Sequence, residues 1–285
     1  MTVAQGRATC YSVSCRATGP YCFTILMANP DSPQPTPAAD ASHADVGIVC
    51  ALHRELAPLL DRCEKVRKYT GGSFVFRGGR YDQVRVAVVE SGLGFAKSRR
   101  ATQALLEAHT PPWVLACGYS GALRPEMRVG DIVVADSIVD AHGQELTVDL
   151  HMPTEGRKGL HRGRLVTADE MVRTVQEKQE LAERHQAIAV DMESLAVAQV
   201  CRERGTRFLA VRVISDDLSA DLPPEVLSVF GSTGTLRVGA IVGSLWKRPS
   251  SVKDLWKLRE QANFAAERLA TFLDGVLVQL YKARH

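Results

Sequence analysis

The sequence predicts a three-layer α/β domain over residues 46–285, with a mixed, mostly parallel central sheet flanked by helices. Runs such as "VGIVCAL" and "WVLACG" have the unbroken hydrophobicity of strands buried on both faces. They alternate with segments of helical periodicity, the pattern of strands joined by crossover helices. No internal repeat and no linker-like stretch follows residue 45, so one domain accounts for the remainder.

The first strand, "VGIVCAL", leads into "ELAPLLDRC", a short helix with Pro58 expected in its first turn, where a missing N–H costs nothing. "SFVFRG" and "VRVAVVES" read as two strands around the polar turn "GRYDQ". "FAKSRRATQALLEAHT" is an amphipathic helix with Ala101, Leu105 and Ala108 on one side. "WVLACG", "DIVVADSIVDA" and "GRLVTAD" are strand-like, and a polar helix is expected from Glu170 to Arg184. "AIAV", the helix opening in "DMESLAVAQVC" and the strand "RFLAVRVISDD" complete the alternation. Leu258, Ala262, Ala265, Leu269, Phe272 and Val276 recur at steps of four and three, so a long C-terminal helix is expected to pack over the sheet. "FGSTGTLRVGAIVGSLWKRPSS", before it, has no readable pattern.

Residues 1–45 differ from the rest. "NPDSPQPTPAAD" has the composition of a disordered linker, and "YCFTILMA" is too short to span a membrane and makes a poor secretion signal. The segment is expected to be a flexible tail. The chain is 45% hydrophobic and 24% charged with a formal net charge of +3, which is ordinary for a globular protein and gives no reason to propose nucleic acid or an acidic membrane as partner. Seven cysteines without CxxC spacing fit a reducing cytoplasm, and eight histidines without HExxH spacing suggest no metal.

The acidic residues carry the functional signal. In "AIAVDMESLAVAQVC", Asp191 and Glu193 stand where a strand turns into a helix. A carboxylate there has a plain reading, because free N–H groups and the macrodipole favour negative charge at a helix start. Glu55 and Asp216 occupy similar junctions, after "GIVCAL" and "RFLAVRVIS", and "ACGYSGAL" forms a Gly-rich junction whose backbone a ligand can approach. Ligands of α/β sheets bind beyond the carboxyl ends of the strands, so all four boundaries can face one crevice.

In order and spacing, "GIVCALHREL", "ACGYSGAL", "VGDIVVAD", "AIAVDMESLAVAQVC" and "VRVISDD" resemble the purine nucleoside phosphorylase superfamily, and within it the methylthioadenosine/S-adenosylhomocysteine nucleosidases, over residues 46–221. The resemblance implies a nucleoside phosphorylase-like fold and a cofactor-independent enzyme that cleaves the N-glycosidic bond of a small-molecule purine nucleoside, a 5′-modified adenosine. Such cleavage leaves an oxocarbenium-like sugar and a base that departs badly unless N7 is protonated. By resemblance, Asp216 is the acid beside the base and Ser215 helps to hold it. Glu193 accepts hydrogen bonds from the ribose hydroxyls, and Met192 packs against the sugar. Glu55 is the base that activates water, Gly118 and Tyr119 border the nucleophile, and Met171 and Val172 contact adenine. The plain alternatives are a solvated helix residue for Glu55 and ordinary helix packing for Met171 and Val172.

Phosphorolytic relatives need a cationic phosphate ligand, and Ala116 stands where one is expected. Arg54 and Arg212 lie nearby in sequence, so a phosphorylase is the alternative of the same fold. Tyr119 replaces the usual Ser and fills space beside the water or phosphate, which keeps a catalytically silent nucleoside-binding protein as the rival from another class. An aromatic usual near Met171 is missing, and with it a stacking contribution of about 1 kcal/mol. "DIVVADSIVDAHGQELTVDLHMPTEGRKGLH" is longer and more polar than a plain connection, and relatives use it for the 5′ substituent or a subunit contact. The resemblance implies a homodimer, joined through an apolar face of the 95–110 helix or through this insertion.

Overall fold

The computed structural model describes residues 26–27, 43–148, 150–151, 157–223, 226 and 250–283. Within residues 1–42 it describes only the strand β1 (Leu26–Met27), which pairs antiparallel with β9 (Leu150–His151). The end of the expected tail is ordered into the domain, with Ala44 buried and the Ala44 and Asp45 N–H groups donating to His109 and Arg85 carbonyls. The remainder of residues 1–42 beyond β1, and almost all of "FGSTGTLRVGAIVGSLWKRPSS", lie outside the described residues.

The elements run β2 (Val46–Cys50), α1 (His53–Leu60), β3 (Glu64–Gly71), β4 (Phe74–Tyr81), β5 (Val84–Glu90), α2 (Phe95–His109) and β6 (Trp113–Ala122). They continue as β7 (Ile132–Asp140), β8 (Glu145–Thr147), β9, β10 (Leu160–Thr167), α3 (Val175–His185), β11 (Ala189–Asp191), α4 (Ser194–Glu203), β12 (Arg207–Asp216) and α5 (Ser250–Lys282). The sheet order is β11-β10-β7-β12-β6-β2-β5-β4-β3, and β11 also pairs with β6. Strands β6, β12, β7, β10 and β11 therefore close into a ring, from which β2, β5, β4 and β3 extend as an open sheet. Pairing is parallel through β5-β2-β6-β12 and through β7-β10-β11, and antiparallel where β12 meets β7 and β11 meets β6.

β6 lies at the centre, with Val114, Leu115, Ala116 and Cys117 all inaccessible to solvent. α5 and α1 pack together on one face of the sheet, while α2 and α4 pack together against other parts of it. The expected apolar stripe of α5 is real: Ala265, Leu269, Phe272 and Val276 are fully buried. Arg62, just after α1, bridges to Asp274 and Glu267 of α5 at 2.5 and 3.0 Å. Gly47 of β2 is required by packing, since a Cβ there would lie 2.8 Å from Pro111 and 2.9 Å from Leu105.

Four local expectations are corrected. β3 went unread because "EKVRKYTG" is exposed along almost its whole length and carries no alternation; as an edge strand it is guarded by Lys65, Arg67 and Lys68. The helix expected from Glu170 starts only at Val175. Thr174 Oγ1 accepts the Glu177 N–H at 3.1 Å and Glu177 Oε2 accepts the Thr174 N–H at 2.9 Å, a reciprocal cap that leaves residues 170–173 outside the helix. α1 starts at His53, which moves Pro58 into the second turn. Ala101 and Leu105 of α2 are buried while Ala108 is exposed. The exposed large hydrophobics among the described residues are Val66 and Tyr69 on β3 and Trp256 and Phe264 on α5, so α2 shows no such apolar face. No helix among the described residues is long and apolar enough to cross a membrane.

This packing predicts that Phe272→Ala lowers stability by about 3–5 kcal/mol, the usual cost of emptying a core aromatic site. Phe264→Ala, at an exposed position of the same helix, should stay within about 0.5 kcal/mol of the parent. Urea unfolding of the two variants compares them directly.

Candidate active site

The ring closure assembles the site. Val190 of β11 and Asp216 of β12 both pair with Gly121 of β6, so the ends of three strands meet at one glycine. A Cβ on Gly121 would lie 3.0 Å from Asp216 Oδ2, 3.2 Å from Val190 Cγ1 and 3.3 Å from Lys178 Cε, so any side chain there would press on all three groups. Here a cavity opens, lined by Glu55, Tyr119, Ser120, Asp191, Met192, Glu193, Ser215, Asp216 and the loop residues Glu170, Met171 and Val172. Leu52, Leu93, Leu222, Val226, Leu258 and Ala262 give it an apolar side. Of the residues assigned to the site by resemblance, all but Gly118 line this space, and Arg54, Ala116 and Arg212 are not among its described lining.

Arg212 explains the paired carboxylates of "AVDMES". It sits on β12 with 1% of its surface exposed, and a guanidinium that deep must be neutralised. Its Nη2 lies 2.6 Å from Asp191 Oδ2 and its Nη1 3.6 Å from Glu193 Oε2, while Nε and Nη2 donate to Ser194 Oγ at 3.0 and 2.9 Å. Asp191 is the cap: it accepts the Ser194 N–H at 3.1 Å and the Thr167 hydroxyl at 2.8 Å. Glu193 occupies the N-cap position of α4, yet its side chain makes no capping bond and instead accepts the Gly94 N–H at 2.9 Å. Burial pushes the Glu193 carboxyl up to about 7, against the pull of Arg212. The capping and ligand readings thus belong to different residues.

Glu55, 3% exposed, accepts the Leu52 N–H at 2.7 Å on Oε2 and the Tyr119 N–H at 3.0 Å on Oε1. Burial raises its pKa above the ordinary carboxylate value, opposed by these hydrogen bonds and by Arg212. A solvated helix residue is excluded. Gly118 stands behind Glu55 rather than in the cavity: a Cβ there would lie 2.6 Å from Glu55 Oε1 and 2.8 Å from Arg212 Nη1. Its role is to make space for those two groups. The Tyr119 phenol donates to the Ala262 carbonyl at 3.0 Å, tying β6 to α5 across the cavity wall.

At Asp216 the register of β12 against β6 slips after Ile214. Ser215 Oγ donates to Asp216 Oδ1 at 2.7 Å, and Lys178 Nζ lies 2.5 Å from Oδ2 and 3.2 Å from the Asp217 carbonyl. The Asp217 carboxylate turns away to accept the Ser219 N–H at 2.9 Å. Lys178 escaped the sequence reading because "VQEKQELAERH" presents it as one solvated charge among many. Arg212 left a better signal, a charge inside the apolar run "FLAVRVI", which requires buried partners.

Chemically, the described lining offers carboxylates and hydroxyls and no Lys, Arg or His side chain. One buried carboxylate with a raised pKa suits a base, and a second, tied to Ser215 and Lys178, suits proton exchange. Among the described residues no group of three or more His, Cys, Asp or Glu is arranged to hold a metal ion.

The sequence profile of the phosphorylase superfamily matches residues 45–230. The 5′-methylthioadenosine/S-adenosylhomocysteine nucleosidase of Marinomonas sp. (strain MWYL1) is 28% identical over 222 residues, which cover 68% of this chain and 96% of that protein. The fold resembles the crystal structure of the Neisseria meningitidis nucleosidase of the same name in complex with methylthio-immucillin-A, with a TM-score of 0.61, 20% identity, and coverage of 82% of this chain and 98% of that one. It also resembles the futalosine hydrolase of Helicobacter pylori strain 26695, with a TM-score of 0.59, 22% identity, and coverage of 82% and 96%. With the profile spanning well over half of its length, and with the ring of strands and acidic cavity described above, the chain belongs to the phosphorylase superfamily.

Proposed function

We propose that the protein is a purine nucleosidase that hydrolyses the N-glycosidic bond of a 5′-modified adenosine, methylthioadenosine or S-adenosylhomocysteine, to adenine and the free sugar. One observation carries the choice of hydrolysis: a buried, pKa-raised Glu55 lies on a cavity whose described lining has no cationic side chain. Water suits that environment, whereas a phosphate dianion needs cationic or dense N–H partners. Arg212, one of the two cations that the sequence offered for that need, is spent on Asp191, Glu193 and Ser194, and Arg54, the other, is not among the described lining.

In this reading Glu55 takes a proton from water as it adds to the anomeric carbon. Glu193 accepts from ribose hydroxyls, and Met192 packs against the sugar. Asp216, held by Ser215, protonates the departing base, which lies against Met171 and Val172. Tyr119 borders the water and, through Ala262, fixes the cavity wall. No cofactor is needed, because protonation of the base and activation of water supply the chemistry. The free thiols of Cys50, Cys63, Cys117 and Cys201 support a cytoplasmic location. We place a homodimer contact on the groove where the insertion residues Gln144, Glu145 and Leu146 meet Phe95 and Arg99 of α2 and Leu195 and Gln199 of α4.

The central test is incubation with methylthioadenosine, S-adenosylhomocysteine, adenosine and inosine, with and without phosphate. Adenine and free sugar should form without phosphate, and Glu55→Gln should abolish turnover while sparing ligand binding. A sugar 1-phosphate as main product would make the protein a phosphorylase; binding without turnover would make it a silent nucleoside binder.

Asp216→Asn should lose at least ~10²-fold in turnover, the low end for general acid catalysis, while Asp217→Asn, whose carboxylate faces Ser219, keeps most activity. Exchange of the two effects would move the acid to Asp217. For assembly, light scattering should give a dimer, and a fully active monomer at every concentration would remove the proposed contact.

A further inference from the structure

The inside of α3 poses a problem that hydrolysis by Glu55 and Asp216 does not use. The buried residues of this helix are Lys178, Ala182 and His185, so a lysine occupies a position on its inward face, with no exposed side-chain surface. Burying an ammonium costs several kcal/mol unless a partner neutralises it. Its partners are Asp216 Oδ2 at 2.5 Å and the Asp217 carbonyl at 3.2 Å. Asp216 also receives the Ser215 hydroxyl on Oδ1 at 2.7 Å. Two donors converging on one carboxyl is the pattern of an ionised carboxylate, which accepts on both oxygens. An ionised Asp216 has no proton of its own to give to a departing purine.

We propose that Lys178 is a positioning residue that stores the proton delivered by Asp216, the pair holding one proton in common. The proposal rests on the nucleosidase reading above. As the N-glycosidic bond breaks, its electron pair passes to the base. N7 takes a proton from Asp216, which is replenished from Lys178 Nζ, leaving a neutral amine. Water adds to the anomeric carbon and gives its proton to Glu55. The extra proton on Glu55 and the missing one on Lys178 balance, and solvent exchange after product release restores both.

Other charged groups near the pair must be counted. Asp191 and Glu193 from the start of α4, Glu55 from α1 and Glu170 from the loop before α3 line the same cavity, and Arg212 on β12 is paired to Asp191 and Glu193. Asp221 caps α3 through the Val175 N–H at 2.7 Å. Acidic groups thus predominate among the charged residues that line the cavity beside the pair.

The test is the pH dependence of kcat for methylthioadenosine in the wild type, Lys178→Met and Asp216→Asn. A free ammonium holds its proton to ~10.4 and a free carboxyl only to ~3.9, so a shared proton should keep the wild type active into alkaline solution. In Lys178→Met the proton must reside on Asp216 alone. The alkaline limb should then fall by at least ~2 pH units, giving a loss of at least ~10²-fold at pH 8 but less than ~10-fold at pH 5. A merely structural lysine would lower activity by the same factor throughout, and that result would overturn the proposal. If Lys178→Met does not fold, the wild type decides: an alkaline limb below about pH 7 would place the proton on a lone carboxyl and overturn it, whereas a higher limb supports it. Asp216→Asn separates the two layers. Retained activity in both Asp216→Asn and Asp217→Asn, or no release of adenine from either methylthioadenosine or S-adenosylhomocysteine by the wild type, removes the nucleosidase reading and this proposal with it; retained activity in Asp216→Asn alone, or an inactive Asp216→Asn beside an unshifted Lys178→Met profile, removes only the proposal.

Discussion

A guanidinium in the middle of a sheet is the constraint on which the site depends. Arg212 lies in β12 among fully buried aliphatic residues, and leaving it unpaired would cost more than most single contacts in the domain return. Asp191 and Glu193 neutralise it, and both belong to the turn from β11 into α4. β11 must therefore stand beside the end of β12, which is where the ring of strands closes on β6. The same guanidinium limits Gly118 to a residue without a side chain and lies close enough to lower the pKa of Glu55. One buried cation thereby fixes strand closure, helix entry and the placement of the acids together.

The carboxylates of the cavity differ in their partners. Asp191 is saturated by Arg212, Thr167 and the Ser194 N–H, which leaves it structural. Glu193 has a longer contact to Arg212 and one backbone donor, so it keeps acceptor capacity toward the cavity. Glu55 is held by two backbone N–H groups, and burial dominates its pKa. Asp216 has a buried ammonium of its own. Residues of one chemical type are thus separated by environment alone into a helix cap, an acceptor facing the cavity, a buried carboxyl with a raised pKa and a carboxylate paired to a buried ammonium.

Legibility in the sequence follows from how local each feature is. Strands buried on both faces and the stripe of α5 are written in consecutive residues, so the three-layer architecture could be read directly. The junction acids Glu55, Glu193 and Asp216 could be placed because a strand end is a local address in this architecture. What stayed hidden depends on contacts between distant segments. Lys178 lies 38 positions from Asp216 and looks like any solvated lysine. Gly118 suggested ligand contact, yet it serves Glu55 and Arg212 from behind. The start of α3 was readable in principle, since Thr174 and Glu177 form a capping pair, but the polar run before it masked the boundary. Which of Asp191 and Glu193 caps α4 is a matter of side-chain direction that spacing does not encode.

The bond from the Tyr119 hydroxyl to the Ala262 carbonyl has a consequence for how this scaffold can diverge. The cavity's carboxylates sit at strand ends and on the turns and helix starts that follow them, whereas much of its apolar side comes from Leu222 and Val226 and from Leu258 and Ala262 on the C-terminal helix. Because a phenol grips that helix through a main-chain oxygen, the side chains of the helix are free to change without breaking the grip. The shape of the apolar wall can therefore vary at Leu258 while the carboxylates opposite stay in place, so wall and charges are separable units of this scaffold.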